Sequence, residues 1–204
     1  GFILDVLTNY STYDMFLRVK NTLEGDESET EIQVDTGEAV TAIVRYARLH
    51  PTAIAQKVRV VIEHFRRNVM HLLGGDAKAM VVTSSRMEAL SWSKKMNAYL
   101  DERGYTDMRT LVAFSGSLTD EDIGESVSEI SLNGRSDVAR AFREEGIFRV
   151  LIAANKFQTG FDEPRLVAMY VDKKLSGVAT VQTLSRLNRI YPGKTAPMVV
   201  DFRN

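Results

Sequence analysis

Gln182, Arg186 and Arg189 stand at i, i+4 and i+7, a spacing that on a helix projects one amide and two guanidiniums onto a single face. Val178, Val181, Leu184 and Leu187 fall on the neighbouring arc, so burial of that arc against a sheet would hold the polar trio on an anchored helix. Arginine donors are planar and charged at any working pH, which suits charge developing on a transferring γ-phosphoryl group. A solvated helix face carries the same spacing. The choice between the two rests on the rest of the chain.

Three other segments hold groups that phosphates or nucleotides use. Thr83-Ser84-Ser85-Arg86 places hydroxyls where a helix begins; they serve as an N-cap, and a helix N-terminus also receives a nucleic-acid phosphate. Ser115-Gly116-Ser117 is small enough for a ligand to approach the backbone, and equally suits a plain turn. In Asn155-Lys156-Phe157-Gln158-Thr159-Gly160-Phe161-Asp162-Glu163-Pro164, Gly160 permits a tight turn. Asp162 is an acceptor for a ribose hydroxyl or for the arginines downstream. A structural turn closed by Pro164 accounts for the same residues.

These segments need a scaffold, and the hydrophobic pattern supplies one. Short apolar runs recur at Ala79–Val82, Thr110–Phe114, Arg149–Ala153, Val167–Val171 and Pro197–Phe202, reading as buried strands. Ala89, Trp92, Met96, Tyr99 and Leu100 mark a helix after the first run; Val138, Ala141 and Phe142 mark another before the third. Such alternation predicts an α/β fold, a parallel sheet covered by helices on both faces. Its ligands sit outside the carboxyl ends of the strands. Upstream, Ile54, Val58, Val61, Ile62, Phe65, Val69 and Leu72 keep helical spacing from Pro51 to a Gly74-Gly75 stop, an amphipathic helix that docks on the core. A further helix is expected at about Ala39–Leu49, and an entry strand or two within residues 1–23. Between them, Glu24 to Glu38 holds seven acids and no base, a solvated or disordered loop. The expected division is therefore a lead-in segment with an acidic loop and docking helices over 1–75, an N-terminal helical appendage, and the sheet domain over 76–204.

Composition narrows the function. At 204 residues the chain holds one sizeable core or one domain with an appendage, and 44% hydrophobic against 26% charged residues is ordinary for a globular protein. No apolar run approaches the roughly 20 residues of a membrane span. The absence of an initiator Met and of a signal sequence at Gly1-Phe2-Ile3-Leu4-Asp5 reads as a piece of a longer chain. With no cysteine, disulfides and thiolate metal sites are excluded, in keeping with a cytoplasmic setting. His50, His64 and His71 form no metal-binding pattern, and no metal ligand is assigned. A net charge of −1 means that any nucleic-acid contact comes from a local patch.

Taken in order, Val81-Val82-Thr83-Ser84-Ser85-Arg86, Ser115-Gly116, Phe142 to Gly146 leading into Val150-Leu151-Ile152-Ala153, Thr159-Gly160-Phe161-Asp162 and Gln182 to Arg189 resemble motifs IV, V and VI of the second RecA-like domain of superfamily 2 helicases. Within that superfamily, Thr159 to Pro164, Gln182 to Lys194 through Tyr191-Pro192-Gly193-Lys194, and Val200-Asp201-Phe202 are most similar to the motor (R) subunit of type I restriction enzymes. Gly1 to Tyr13 and His50 to Phe65 resemble that subunit's path into the domain.

The resemblance implies a role for each matched position. Arg189 would be an arginine finger, Arg186 its companion on the γ-phosphate, and Gln182, Gly160 and Asp162 would line the nucleotide. Ser84, Ser85, Arg86, Ser115 and Gly116 would contact the nucleic-acid backbone. ATP and Mg2+ would be held mainly by a first RecA-like domain, since no G-x-x-x-x-G-K-[ST] loop and no Asp-Glu pair after a strand occur here. The implied partners are double-stranded DNA, that first domain, and the methylase and specificity subunits. One departure stands out: where motif V often begins Thr-Asp, this chain has Ala154-Asn155.

Overall fold

The computed structural model describes residues 10–12, 51–157 and 161–203. The acidic stretch, the helix expected at about Ala39–Leu49, Gly160 and most of the 1–23 segment lie outside them. Six strands, β1 (Tyr10–Thr12), β2 (Lys78–Thr83), β3 (Arg109–Ala113), β6 (Phe148–Ala154), β7 (Leu166–Asp172) and β8 (Met198–Asp201), form one sheet in the order β1-β8-β7-β2-β6-β3. All of its pairings are parallel. The five apolar runs read from the sequence are β2, β3, β6, β7 and β8. The residues of β2 and β7 are buried throughout, as strands covered on both faces must be.

Side-chain alternation sorts the core into two layers. On one face Ala79, Val81, Val112, Val150, Ile152 and Tyr170 pack with α1 (Pro51–His64) and α2 (Arg86–Glu102) through Ile54, Val58, Ile62, Trp92 and Met96. On the other, Met80, Val82, Leu111, Leu151, Met169 and Val171 pack against Phe142, Leu184 and Leu187. Helix α1 thus docks on the sheet as its spacing predicts. It continues as a π-helical turn, Phe65–Val69, and ends in a 3-10 turn where Leu73 and Gly74 take φ of 55° and 69°. A hairpin of β4 (Ser117–Asp120) and β5 (Glu125–Ser128), then α3 (Glu129–Asn133) and α4 (Val138–Glu144), fill the crossover from β3 to β6.

The segment after β7 differs from expectation. The helix α5 is only Val178–Leu184; Ser185–Asn188 tightens into a 3-10 turn and Arg189 is extended at φ −72°, ψ 132°. Ser185 Oγ donates to the carbonyl of Gln182 at 2.9 Å, the local competition by which serine ends helices. In a 3-10 turn, residues three apart eclipse, so Leu184 and Leu187 bury together at 4% and 0% exposure, while Val178 and Val181 stay open at 71% and 69%. The apolar arc is therefore half the length expected, and Gln182, Arg186 and Arg189 do not share one helical face.

Candidate functional site

At the carboxyl edge of the sheet, Ser84, Ser85 and Arg86 of the expected nucleic-acid residues have structural work. Ser85 is the N-cap of α2, its Oγ accepting from the Glu88 N–H at 3.1 Å. Glu88 in turn accepts from the Ser84 N–H at 2.8 Å, and Ser84 Oγ donates to the Asp172 carbonyl at 3.3 Å. The exposed Arg86 reaches across to the loop after β3, where Nη1 donates to the carbonyls of Ser115 and Ser117 at 3.3 and 2.9 Å. Gly116 lies inside that loop at φ 76°, and a Cβ there would stand 3.2 Å from Arg86 Nη1. Ser115 and Gly116 are exposed.

The loops at this edge are tied to one another by groups that local sequence patterns pass over. Glu129 accepts from the Phe114 N–H at 2.9 Å and takes both its oxygens to Lys156 Nζ at 2.8 Å, joining the ends of β3 and β6. Lys173 donates to Asn155 Oδ1 at 2.6 Å, holding the loop where Asn155 and Phe157 take φ of 53° and 62°. For non-glycine residues that region is uncommon and persists only when the surroundings enforce it. The buried Asp172, last residue of β7, accepts from Lys57 Nζ of α1 at 2.8 Å and from Trp92 Nε1 of α2 at 3.1 Å. Arg203 Nε approaches it at 2.6 Å as an ion contact whose N–H is not aligned as a hydrogen bond. An aspartate closing an otherwise apolar strand was the one signal in the sequence for this knot.

Asp162 and Arg189 lie toward the opposite edge. Asp162 is four residues before the start of β7, and its carbonyl accepts from Arg143 of α4 at 3.2 Å, beside the chain's entry into β6. Arg189 Nε meets Asp162 Oδ1 at 2.9 Å, with the two side chains 50% and 62% exposed. Arg186, by contrast, turns inward and donates from Nη1 to the Phe161 carbonyl at 2.9 Å. Gln182 is exposed on α5. A seven-residue strand such as β7 spans about 20 Å, so the Arg189–Asp162 pair and the loops around Ser84 and Gly116 occupy separate surfaces.

Burial perturbs two lysines. Lys194 is 7% exposed; its Nζ donates to the Pro164 carbonyl at 3.0 Å and to the Arg189 carbonyl at 2.9 Å, and desolvation lowers its pKa to about 8 against a small opposing pull from Glu163. Lys78, at the amino end of β2, is likewise brought to about 8 by burial, with Nζ donating to the Phe148 carbonyl at 2.7 Å and lying 4.7 Å from the Phe142 ring centroid. Glu163 is occupied by Arg165, at 2.8 Å to Oε1 and 2.9 Å to Oε2.

The family model for type I restriction enzyme subunit R domain 3 matches residues 125–204, a stretch that includes both Asp162 and Arg189. The chain is similar to the R subunit of type I restriction enzymes. A protein of Methanocaldococcus jannaschii named for the type I restriction enzyme MjaVIIP endonuclease subunit is 26% identical over 165 residues, covering 75% of this chain and 15% of the relative. The HindI endonuclease subunit of Haemophilus influenzae is 27% identical over 150 residues, 69% of this chain and 14% of the relative. The chain thus spans about a seventh of these two proteins. Among solved structures, a fragment of an HsdR subunit from Vibrio vulnificus superposes with a TM-score of 0.57 at 15% identity, over 99% of this chain and 32% of that one. T4 UvsW follows at a TM-score of 0.50 and 12% identity, over 95% and 31%. With the parallel sheet and its two helical layers, the fold is the RecA-like α/β fold that the motifs imply. Among the described residues no helix is long and apolar enough to cross a membrane.

Proposed function

We propose that this chain is the second motor domain of a type I restriction enzyme R subunit, contributing an arginine finger and DNA-backbone contacts to the ATP-driven translocation of double-stranded DNA that precedes cleavage. In this reading residues 76–204 form the motor domain and 1–75 lead into it. The substrate ATP and its Mg2+ lie mainly on a first RecA-like domain, and the methylase and specificity subunits complete the complex. Arg189 reaches the γ-phosphate, Arg186 joins it only on releasing the Phe161 carbonyl, and Gln182, Gly160 and Asp162 line the nucleotide; Ser84, Ser85, Arg86, Ser115 and Gly116 meet DNA phosphates.

The presentation of Arg189 is the observation that carries the reading. Its guanidinium is half exposed on a counter-ion that is itself exposed, while Leu187 two residues earlier is fully buried. An exposed pair of this kind is worth only about 0.2–1 kcal/mol, so it gives way readily to a phosphate, which the planar fork also fits. The Phe161 to Pro164 and Tyr191 to Lys194 sequences favour the R subunit over other superfamily 2 motors.

In the full-length protein Arg189→Ala should lower DNA-stimulated ATP hydrolysis by roughly 10³-fold, and Arg189→Lys should not restore it. A second reading is favoured by the same contact. If the Arg189–Asp162 pair is a structural tie, the chain is a non-catalytic RecA-like interaction module whose arginines bind an acidic partner. That reading requires Arg189→Ala to leave ATP hydrolysis unchanged.

A further inference from the structure

Tyr191-Pro192-Gly193-Lys194 closes as a β-turn, with the Lys194 N–H donating to the Tyr191 carbonyl at 2.9 Å and Gly193 at φ 79°. Pro at the second position and a positive φ at the third define a type II turn. The turn reverses the chain so that Lys194 points back under the segment it has just left. Its ammonium ends in a place where a lysine is expensive, since burying a cation without a carboxylate partner is disfavoured and an apolar side chain would cost less. Among the described residues, the one carboxylate that acts on it, Glu163, is taken by Arg165. What Lys194 Nζ reaches instead are two backbone carbonyls, those of Pro164 and Arg189, at 3.0 and 2.9 Å. One belongs to the segment carrying Asp162 and the other to the residue proposed as the finger.

We infer that Lys194 is the positioning residue of the Arg189 site, a buried ammonium that staples the Arg189 backbone to the segment carrying Asp162 and so sets where the guanidinium stands. The inference rests on the motor reading of Arg189 and deepens it. Arg189 has left helical geometry, so no i→i−4 ladder holds its main chain, and the staple supplies that constraint. Displacing a catalytic group by about 1 Å can cost on the order of 100-fold in rate, which makes an anchor at the finger's own carbonyl consequential.

The test is a double-mutant cycle on the full-length R subunit in its complex, reading DNA-stimulated ATP hydrolysis. Lys194→Met keeps the aliphatic stem and removes the donors. It should lower kcat by about 10-fold or more, with a much smaller change in the KM for ATP. In the Arg189→Ala background the same substitution should change the residual rate by less than about twofold, because a residue that acts through Arg189 has nothing left to position. Equal losses in both backgrounds would show that Lys194 serves only general stability and would overturn the inference, as would a wild-type rate for Lys194→Met. Should Lys194→Met fail to fold, Lys194→Leu, which likewise removes the donors, runs the same cycle with the same outcomes. If Arg189→Ala alone leaves the rate intact, it is the motor reading that falls, and the inference with it.

Discussion

Arg189 Nε and Asp162 Oδ1 meet at 2.9 Å, yet half or more of each side chain remains in solvent, 50% and 62%. The contact joins the two segments that the sequence singles out for nucleotide chemistry, across 27 residues of chain. Because both groups are hydrated, the pair is of the exposed kind worth only about 0.2–1 kcal/mol.

Asp162→Asn keeps the shape and removes the countercharge. It should shift thermal stability of the 204-residue chain by no more than about 1 kcal/mol. In the full-length protein it should raise the KM for ATP, since a carboxylate acceptor is lost. A stability loss of several kcal/mol would identify the pair as a structural lock and favour the interaction module.

If, as proposed, the Ser84–Ser115 surface meets DNA and the Arg189–Asp162 surface meets nucleotide, the two can be damaged separately. Ser84→Ala combined with Ser115→Ala in the full-length protein should weaken translocation, measured by triplex displacement, far more than basal ATP hydrolysis. The exposed Ser115 has little to lose in stability, and Ser84 gives up one 3.3 Å bond to the Asp172 carbonyl. Equal losses in the two assays, or an unchanged displacement rate, would reduce these residues to a cap and a turn.

Gly116→Ala meets two obstacles at once. Its φ of 76° places an L-residue in the left-handed region, and the new Cβ would stand 3.2 Å from Arg86 Nη1, disturbing the bonds to Ser115 and Ser117. The backbone part alone costs roughly 1–2 kcal/mol. Thermal unfolding should show a destabilisation of that order, smaller when Arg86→Ala has already vacated the space. An identical loss in both backgrounds would mean that the guanidinium yields freely.

Two lysines give the chain an alkaline signature. Lys78 and Lys194 have folded pKa values of about 8 against about 10.4 in an unfolded chain. Between these values the unfolded state binds more protons, so their contribution to stability rises as pH increases from about 8 to about 10.4, and the penalty is fully present below pH 8. Compared with Lys194→Met in pH-resolved thermal unfolding, the wild-type chain should gain ground across that window. A difference independent of pH would mean that Lys194 is solvated in the folded protein.

The strands and the α1 and α2 helices were legible in the amino-acid sequence because each depends on short-range patterning: buried strands are apolar runs, and an amphipathic helix repeats every three or four residues. The RecA-like order came from the resemblance of the motifs, not from patterning. A cap within Thr83-Ser84-Ser85 was legible from short-range pattern too, and the structure assigns it to Ser85. Tertiary structure decided what periodicity cannot carry. The continuous face through Gln182, Arg186 and Arg189 was wrong because Ser185 turns its hydroxyl on the Gln182 carbonyl and the sheet favours burying Leu184 with Leu187. The choice between an exposed Arg189 and an inward Arg186 depended on where the Phe161 carbonyl lies. Likewise, nothing in Pro192-Gly193-Lys194 marks the lysine as buried, since the carbonyls it reaches include one 30 residues away. Local sequence sets which conformations a segment prefers; only the assembled sheet brings distant carbonyls and charges within hydrogen-bond reach and decides which side chains lose their water.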